Sequence, residues 1–304
     1  MTSCTSPMSS PHATSFHAAD FLVHRIEVTG AATCVGLDPV IEKLPRELVP
    51  RDSNNAAECA QSIETFSCAV IDAVAADTAA VKIQAACFER YGPLGYAALW
   101  RVLAAARASG LAVVLDFKRG DIGISAEHYA ASARSSGAHW TTISAYLGAD
   151  GILPFLAQGH GAFALVRTSN PSGDALQAQV LQDGSTVAER VASLVDELGR
   201  ASIGARGFSN LGAVVGATKR AEIAALRERM PATIFLVPGY GAQGGTADDV
   251  RACFTGNSQG ALITASRSVI YPSGGASAAG ASWQQQIRDA ARVFADEIRA
   301  IAQG

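Results

Sequence analysis

Short apolar runs recur along the chain, and segments with helical periodicity separate them. Each run has about the length of a β-strand that is buried on both faces. The predicted strands are Thr33–Asp38, Ala80–Gln84, Leu111–Asp116, Trp140–Ser144, Ala162–Arg167, Gly212–Gly216, Thr233–Val237 and Gly260–Thr264. The predicted helices between and after them are Asn55–Ala76, Gly95–Ser109, Ser125–Ser136, the short Asp150–Gln158, Val187–Arg200, Lys219–Met230, Thr246–Phe254 and Trp283–Ala302.

Eight strands that alternate with helices favour a parallel α/β architecture. Eight is the number of strands that closes a TIM (β/α)8 barrel, and 304 residues suit one such domain. The alternative is an open doubly wound sheet, whose G-x-G-x-x-G fingerprint is missing from Gly36-Leu-Asp-Pro-Val-Ile41 after the first strand. We therefore predict a single barrel domain over residues 13–304, with a helix before Thr33 that covers the barrel bottom, and a flexible tail over residues 1–12.

Composition and charge narrow the class of protein. Of the 304 residues, 49% are hydrophobic and 17% charged, which excludes a disordered chain. The formal net charge of −3 argues against nucleic acid or an anionic membrane as the main partner. No apolar run approaches the length of a spanning helix, and the start lacks the features of a secretory signal. Six cysteines without metal-ligand spacing then indicate a cytoplasmic protein with reduced thiols.

Polar side chains gather where strands are predicted to end, which is where TIM barrels carry their chemistry. Strand one ends at Asp38, strand two carries Lys82, and strand three ends at Asp116, followed by Lys118 and Asp121. Asp116 and Lys118 share one side of the strand because side chains alternate along it. Lys82, on the preceding strand, adds a second cation beside Asp116. We therefore expect an alternating Lys-Asp-Lys-Asp array of roughly zero net charge. A structural ion-pair network is the alternative interpretation.

A glycine-rich loop follows the seventh predicted strand. Four glycines lie between positions 239 and 245, so the backbone amides of this loop can approach a ligand closely. Arg267, at the end of the eighth strand, offers a planar guanidinium group to phosphate oxygens. Because loops after strands seven and eight form the recurrent phosphate site of TIM barrels, we predict a phosphate site here.

These residues stand in motifs that resemble those of the orotidine 5'-phosphate decarboxylase family, in particular its longer bacterial subgroup. The resemblance runs from about Thr33 to Ile270, and its Asp-x-Lys-x-x-Asp element is highly specific. The motifs are Val35-Gly-Leu-Asp-Pro39, Val81-Lys-Ile-Gln84 with Phe88-Glu89, Asp116-Phe-Lys-Arg-Gly-Asp-Ile-Gly123, Tyr146-Leu-Gly148, Thr168-Ser-Asn-Pro171, Val215-Gly-Ala-Thr218, Val237-Pro-Gly-Tyr-Gly-Ala-Gln-Gly-Gly245 and Ser266-Arg267. The stretch from Ser172 to Thr186 lies outside them, and the sequence assigns it no role.

The resemblance implies decarboxylation of orotidine 5'-monophosphate to uridine 5'-monophosphate, the last step of de novo UMP biosynthesis. The family uses no metal and no organic cofactor for this reaction. By the family's motif, Lys118 is the proton donor to the ring carbon that loses carbon dioxide. Asp116 lies against the departing carboxylate, and Lys82 orients Asp116 and contacts the ribose region.

The same motifs imply residues that bind the substrate and residues that are shared between subunits. The residues expected to bind ribose, the pyrimidine ring and phosphate are, in that order, Asp38, Ser169, and the pair Gln243 and Arg267. The residues expected to enter the partner's site in a homodimer are Asp121, Ile122 and Ser125. Ser125 stands where the family often has threonine.

Two other functions compete with this one. Magnesium-dependent sibling barrels that act on sugar phosphates, such as hexulose-phosphate synthase or a keto-gulonate-phosphate decarboxylase, look similar at Asp-x-Lys-x-x-Asp. They carry an acidic metal ligand where this chain has Lys82, and a cation there would repel a metal. A non-catalytic nucleotide-binding barrel should have lost at least one charge of the array, and none is missing. The histidines show no recognisable ligand motif, so we predict no metal site.

Overall fold

The structure is a computed structural model that describes residues 16–217, 220–241, 244–255, 259–272 and 281–303. Within these ranges, eight parallel strands pair in chain order, and the last pairs with the first to close a barrel. The strands are β1 Thr33–Leu37, β2 Ala80–Gln84, β3 Ala112–Arg119, β4 Trp140–Ile143, β5 Gly161–Arg167, β6 Leu211–Val215, β7 Phe235–Val237 and β8 Ala261–Ala265. The predicted TIM barrel is therefore confirmed.

Helices connect the strands and surround them. Those in the described ranges are α1 Ala18–Thr29, α2 Ala56–Val74, α3 Ala85–Glu89, α4 Gly92–Ala108, α5 Gly123–Ser135, α6 Ala149–Ile152, α7 Asp174–Gln177, α8 Val187–Gly199, α9 Arg220–Arg229, α10 Ala247–Arg251, α11 Arg267–Ile270 and α12 Trp283–Gln303. Helices α3, α7 and α11 were not predicted from the sequence, because four or five residues are too few to show a helical period. The predicted helix Asp150–Gln158 is instead α6 followed by a 3₁₀ helix over Leu153–Gly159.

The strands form the core because their apolar runs are covered on both faces. Every residue of β1, β6 and β8 is buried. Trp140 of β4 stacks on Phe163 of β5 with ring centroids 4.4 Å apart. A Cβ added to Gly161 would come within 2.4 Å of the Trp140 ring, and one added to Gly212 within 2.4 Å of the Phe163 ring. The two glycines therefore make room for the large rings of the neighbouring strands.

Helix α1 covers the end of the barrel at which the strands begin. The backbone N–H of Ala19 donates to Oδ1 of Asn210, just before β6, over 2.9 Å. The ring of Phe21 packs on His139, just before β4, with centroids 4.7 Å apart. These contacts confirm the predicted helix before Thr33, whereas the predicted tail over residues 1–12 lies outside the described residues. None of the helices described here combines the length and the apolar character that crossing a bilayer requires.

Candidate active site

Strand β3 continues past its predicted end at Asp116 and carries Lys118 within it. It runs to Arg119, and its register with β4 shifts between Leu115 and Arg119. Lys118 has a φ of 45°, in the left-handed region that residues other than glycine seldom adopt. Its backbone N–H donates to Oγ1 of Thr142 on β4 over 3.0 Å. This bond gives the irregular strand end a defined partner on the neighbouring strand.

Asp116 lies between two lysine ammonium groups. Lys118 Nζ is 2.5 Å from its Oδ1, and Lys82 Nζ is 2.7 Å from its Oδ2. Lys82 Nζ also lies 3.6 Å from Oδ1 of Asp38. Residues from β2, β3 and the end of β1 thus form one alternating cluster of charges. Within this chain, its fourth member is Asp38.

The opposite charges of neighbouring side chains outweigh burial and keep Asp116 and Lys82 ionised. Burial by itself raises the pKa of the Asp116 carboxyl, but the charges and hydrogen bonds of Lys82 and Lys118 outweigh burial and lower the pKa to about 2. Burial by itself lowers the pKa of Lys82, but the charges of Asp38 and Asp116 outweigh it and raise the pKa. Lys118 keeps 47% of its side chain exposed, so its ammonium is accessible to a ligand.

Two uncharged side chains complete the hydrogen bonding of Asp116. Thr142 Oγ1 donates to Oδ1 over 2.8 Å, and Gln84 Nε2 donates to Oδ2 over 3.3 Å. Neither residue was predicted to have a role in the site. Gln84 belongs to the motif Val81-Lys-Ile-Gln84 and could have been found from its place at the end of β2. Thr142 lies inside a strand beside a second threonine, and only the barrel geometry distinguishes the two.

A cavity of about 410 Å³ opens at the carboxyl ends of the strands, above this cluster. Three of the predicted substrate-binding residues line it together with the cluster: Asp38, Ser169 and Arg267. Pro238 and Gly239 after β7 and Ser266 after β8 complete the side where phosphate is expected. The predicted phosphate ligand Gln243 lies outside the described residues. A cavity of this size suits a small-molecule ligand.

Glycine is required where β1 meets the end of β8. A Cβ added to Gly36 would come within 1.9 Å of the Ser266 hydroxyl, and Arg267 directly follows that serine. The loop after β7 also needs glycine, because Gly239 and Gly241 have φ values of 96° and 64°. These backbone features explain why glycine stands at positions 36, 239 and 241.

The three residues predicted to be shared between subunits do not line this cavity. Asp121, Ile122 and Ser125 lie on the turn into α5 and along its first residues. Asp121 Oδ1 accepts the backbone N–H of Ile122 over 2.9 Å. The side chains of Ile122 and Ile124 are 55% and 64% exposed.

The described cysteines are free: Cys34, Cys59, Cys68, Cys87 and Cys253. Cys34 of β1 is buried near the cluster, and burial raises its pKa to about 12 in spite of the nearby Lys82 charge. A thiol with that pKa is protonated at neutral pH and is a poor nucleophile. Among the described residues, no group of three or more His, Cys, Asp and Glu side chains could hold a metal ion.

Residues 33–281 match the model of the orotidine 5'-phosphate decarboxylase / HUMPS family. The chain belongs to this family. The match starts at the first residue of β1 and takes in the eight strands and every predicted site residue. The resemblance inferred from the motifs is therefore confirmed at the level of the orotidine 5'-phosphate decarboxylase / HUMPS family.

Individual members of the orotidine 5'-phosphate decarboxylase / HUMPS family are similar over most of the chain. The orotidine 5'-phosphate decarboxylase of Rhodopirellula baltica is 44% identical over 256 residues, which cover 80% of this chain and 84% of that protein. That of Roseiflexus castenholzii is 40% identical over 270 residues, 88% of this chain and 92% of that protein. The structure of Leishmania donovani OMP decarboxylase matches with a TM-score of 0.76 at 32% identity, covering 95% of this chain and 100% of that one.

Proposed function

We propose that this chain decarboxylates orotidine 5'-monophosphate to uridine 5'-monophosphate and carbon dioxide, as the last step of de novo UMP biosynthesis. The observation that carries the proposal is the buried Asp116 carboxylate, paired with both Lys82 and Lys118 at the cavity. The similarity to two orotidine 5'-phosphate decarboxylases over at least 80% of the chain supports the same substrate. The free thiols of the five described cysteines are typical of a reducing compartment, which supports a cytoplasmic location.

Lys118 is the proton donor in this proposal. Breaking the bond between the ring carbon and the carboxylate leaves an electron pair in the ring plane, where the π-system delocalises it poorly. Without an electron sink, the protein stabilises this charge electrostatically. The Lys118 ammonium is positioned by Asp116 and half exposed, so it can approach that carbon. It then donates its proton to form the new C–H bond, and water reprotonates the amine.

Asp116 acts on the carboxylate that leaves. Its pKa of about 2 means that it remains an anion at neutral pH. An anion at this place repels the substrate carboxylate, and the repulsion disappears as neutral carbon dioxide forms. Lys82 and Thr142 hold the Asp116 oxygens, so that the carboxylate does not turn away from the substrate.

The remaining substrate contacts come from residues that follow four different strands. Asp38 after β1 binds the ribose hydroxyls, Ser169 after β5 reads the ring, and Arg267 after β8 binds phosphate together with Gln243. Phosphate lies far from the reacting carbon, but its binding energy can organise the loop after β7 and complete the site. The position of Ser169 and Arg267 on the walls of one cavity with Asp38 supports this division of roles.

We propose further that the active unit is a homodimer with shared sites. In it, Asp121, Ile122 and Ser125 of one subunit enter the site of its partner. The apolar side chains exposed next to this turn support the interface, since such surface is usually buried by association. Besides Ile122 and Ile124, they include Tyr146 after β4, which is 82% exposed.

The test follows the absorbance of orotidine 5'-monophosphate as the full chain is added, with and without excess EDTA. We expect the absorbance to fall at the same rate in both reactions. The reason is that the Lys82 ammonium lies 2.7 Å from Asp116 and 3.6 Å from Asp38, where a divalent cation would meet its charge. Absence of turnover contradicts the proposed function. Activity that vanishes with EDTA and returns with magnesium would favour the sugar-phosphate barrels instead.

A further inference from the structure

The segment from Ser172 to Thr186, between β5 and α8, takes no part in the proposed mechanism. It contains α7 and a turn in which Leu181 N–H donates to the carbonyl of Ser185 over 2.7 Å. Its apolar side chains are not what holds it to the barrel, since Leu176 is 55% and Val180 69% exposed. Its inward contacts are polar instead, and they lead to the end of β5.

Gln177, the last residue of α7, reaches back to the residue before Ser169. Its Oε1 accepts the backbone N–H of Thr168 over 2.9 Å, and its Nε2 donates to Thr168 Oγ1 over 2.9 Å. Oε1 also accepts from Nη1 of Arg167 over 3.3 Å. One amide side chain therefore satisfies both the backbone and the hydroxyl group of Thr168.

Arg167 ties the same contact to the rest of the barrel. Its side chain is 1% exposed, and a guanidinium so deeply buried requires hydrogen-bonded partners. Nε lies 2.5 Å from Glu222 on α9, and Nη1 lies 2.8 Å from Asp174 on α7. The planar guanidinium group joins α7 and α9 across the end of β5. Helix α7, which carries Gln177, is therefore held in place beside Thr168.

Strand β6 supports the same turn through its backbone. Gly216 N–H donates to the carbonyl of Arg167 over 2.8 Å, and a Cβ added to Gly216 would come within 2.8 Å of Ser169 Cα. Both Thr168 and Ser169 line the cavity. The backbone just after β6 therefore packs against Ser169, and Gln177, which does not line the cavity itself, contacts the residue before it.

We propose that Gln177, held by Arg167, is a positioning residue for recognition of the pyrimidine ring. It fixes Thr168, and through Thr168 it presents Ser169 to the ring. The inference rests on the proposed function, because the ring is the ligand of Ser169 only if the substrate is a pyrimidine nucleotide. Asp38 and Arg267 approach the site from β1 and β8, so Gln177 should affect binding of the base and not of the ribose phosphate.

The test compares the dissociation constants of UMP and ribose 5-phosphate for the full chain, measured by calorimetry. Gln177→Ala should weaken UMP about 5- to 10-fold, the effect of roughly one net hydrogen bond, and change ribose 5-phosphate less than about twofold. Gln177→Glu keeps acceptor oxygens for the Thr168 N–H and hydroxyl, so it should bind UMP nearly as wild type does. Gln179→Ala, exposed on the same segment, is the matched control and should bind both ligands unchanged.

A double variant decides whether Gln177 acts through Ser169. In Ser169→Ala, which should itself weaken UMP, adding Gln177→Ala should cause little further loss, because the two side chains serve one contact. Additive losses, full UMP affinity in Gln177→Ala, or equal weakening of both ligands would each overturn the inference. If the wild-type chain binds ribose 5-phosphate but not UMP, the proposed function fails as well. If it turns over orotidine 5'-monophosphate while Gln177→Ala binds UMP normally, only the role of Gln177 fails.

Discussion

The carboxylate of Asp116 accepts hydrogen bonds from four side chains, two of which could be predicted from the sequence. Lys118 follows from the period of the strand, and Lys82 from its place on the preceding strand. Thr142 and Gln84 could not be predicted in this role, because side-chain hydrogen bonds across a barrel depend on register and on how a strand end bends. The charges of the site can thus be read from spacing, whereas the neutral groups that orient them cannot.

Of the two neutral side chains that contact Asp116, only Thr142 also forms a hydrogen bond with Lys118. It donates to Asp116 and accepts from the Lys118 backbone. Thr142→Val keeps the shape and removes both bonds, which we expect to lower kcat about 10- to 100-fold, the effect of roughly 1.5–3 kcal/mol for a hydrogen bond to a charged group. Thr142→Ser should retain most of kcat. The measurement is steady-state turnover of orotidine 5'-monophosphate alongside binding of UMP, which should change little.

Thr141 provides the control for this substitution on the same strand. Its Oγ1 is buried without a hydrogen-bond partner among the described residues, so Thr141→Val removes no contact. We expect this variant to be folded and fully active. A kcat in Thr142→Val as high as that in Thr141→Val would show that the hydroxyl does not position Asp116.

At the scale of elements, the observed site differs from the predicted one because two of its strands are irregular. The register shifts between Leu115 and Arg119 in β3 and between Leu165 and Arg167 in β5. The first shift spans Asp116 and Lys118, and the second comes just before Ser169, since bulges are common next to active sites. Hydrophobic periodicity locates a strand but contains no signal for an extra residue in its hydrogen-bond ladder. For this reason β3 ran past its predicted end.

The loops after β7 and β8 form the element on which phosphate binding depends. Arg267→Ala removes a charge-assisted contact, which we expect to be worth about 2–4 kcal/mol. At about 1.4 kcal/mol per factor of ten, kcat/KM should fall roughly 30- to 1,000-fold for orotidine 5'-monophosphate. Gln243→Ala should have a smaller effect, because a neutral amide binds phosphate more weakly than a guanidinium does.

Orotidine without its phosphate serves as the control substrate for both variants. The removed side chains then have nothing to bind, so the losses in kcat/KM should shrink strongly. A general folding defect would instead reduce turnover of both substrates by one factor. Equal losses for the two substrates in Arg267→Ala would mean that Arg267 is not the phosphate ligand.

For the whole molecule, the barrel was predictable because one pattern of strand and helix repeats eight times, and eight parallel strands are known to close into a barrel. That topology also brings Asp38, Lys82 and Asp116 together, since the carboxyl ends of all parallel strands meet at one face. Asp121 is the informative exception. It comes shortly after β3, the strand that contains Asp116, yet the turn that carries it does not line the cavity of its own chain. The proposed homodimer accounts for this position, because it places Asp121 at the site of the partner subunit.

Subunit exchange tests whether the partner supplies Asp121. Lys118→Ala and Asp121→Ala should each be nearly inactive alone, the first because it loses both the stabilising charge and the proton donor. In a mixed dimer, one site collects both lesions, and the other combines the intact Lys118 of one chain with the intact Asp121 of its partner. Random exchange makes about half of the dimers mixed, so activity should recover to about a quarter of the wild-type value per subunit. The mixed dimers are verified by two affinity tags of different sequence. If verified mixed dimers stay inactive, each site depends on the Asp121 of its own chain, and the shared site is wrong.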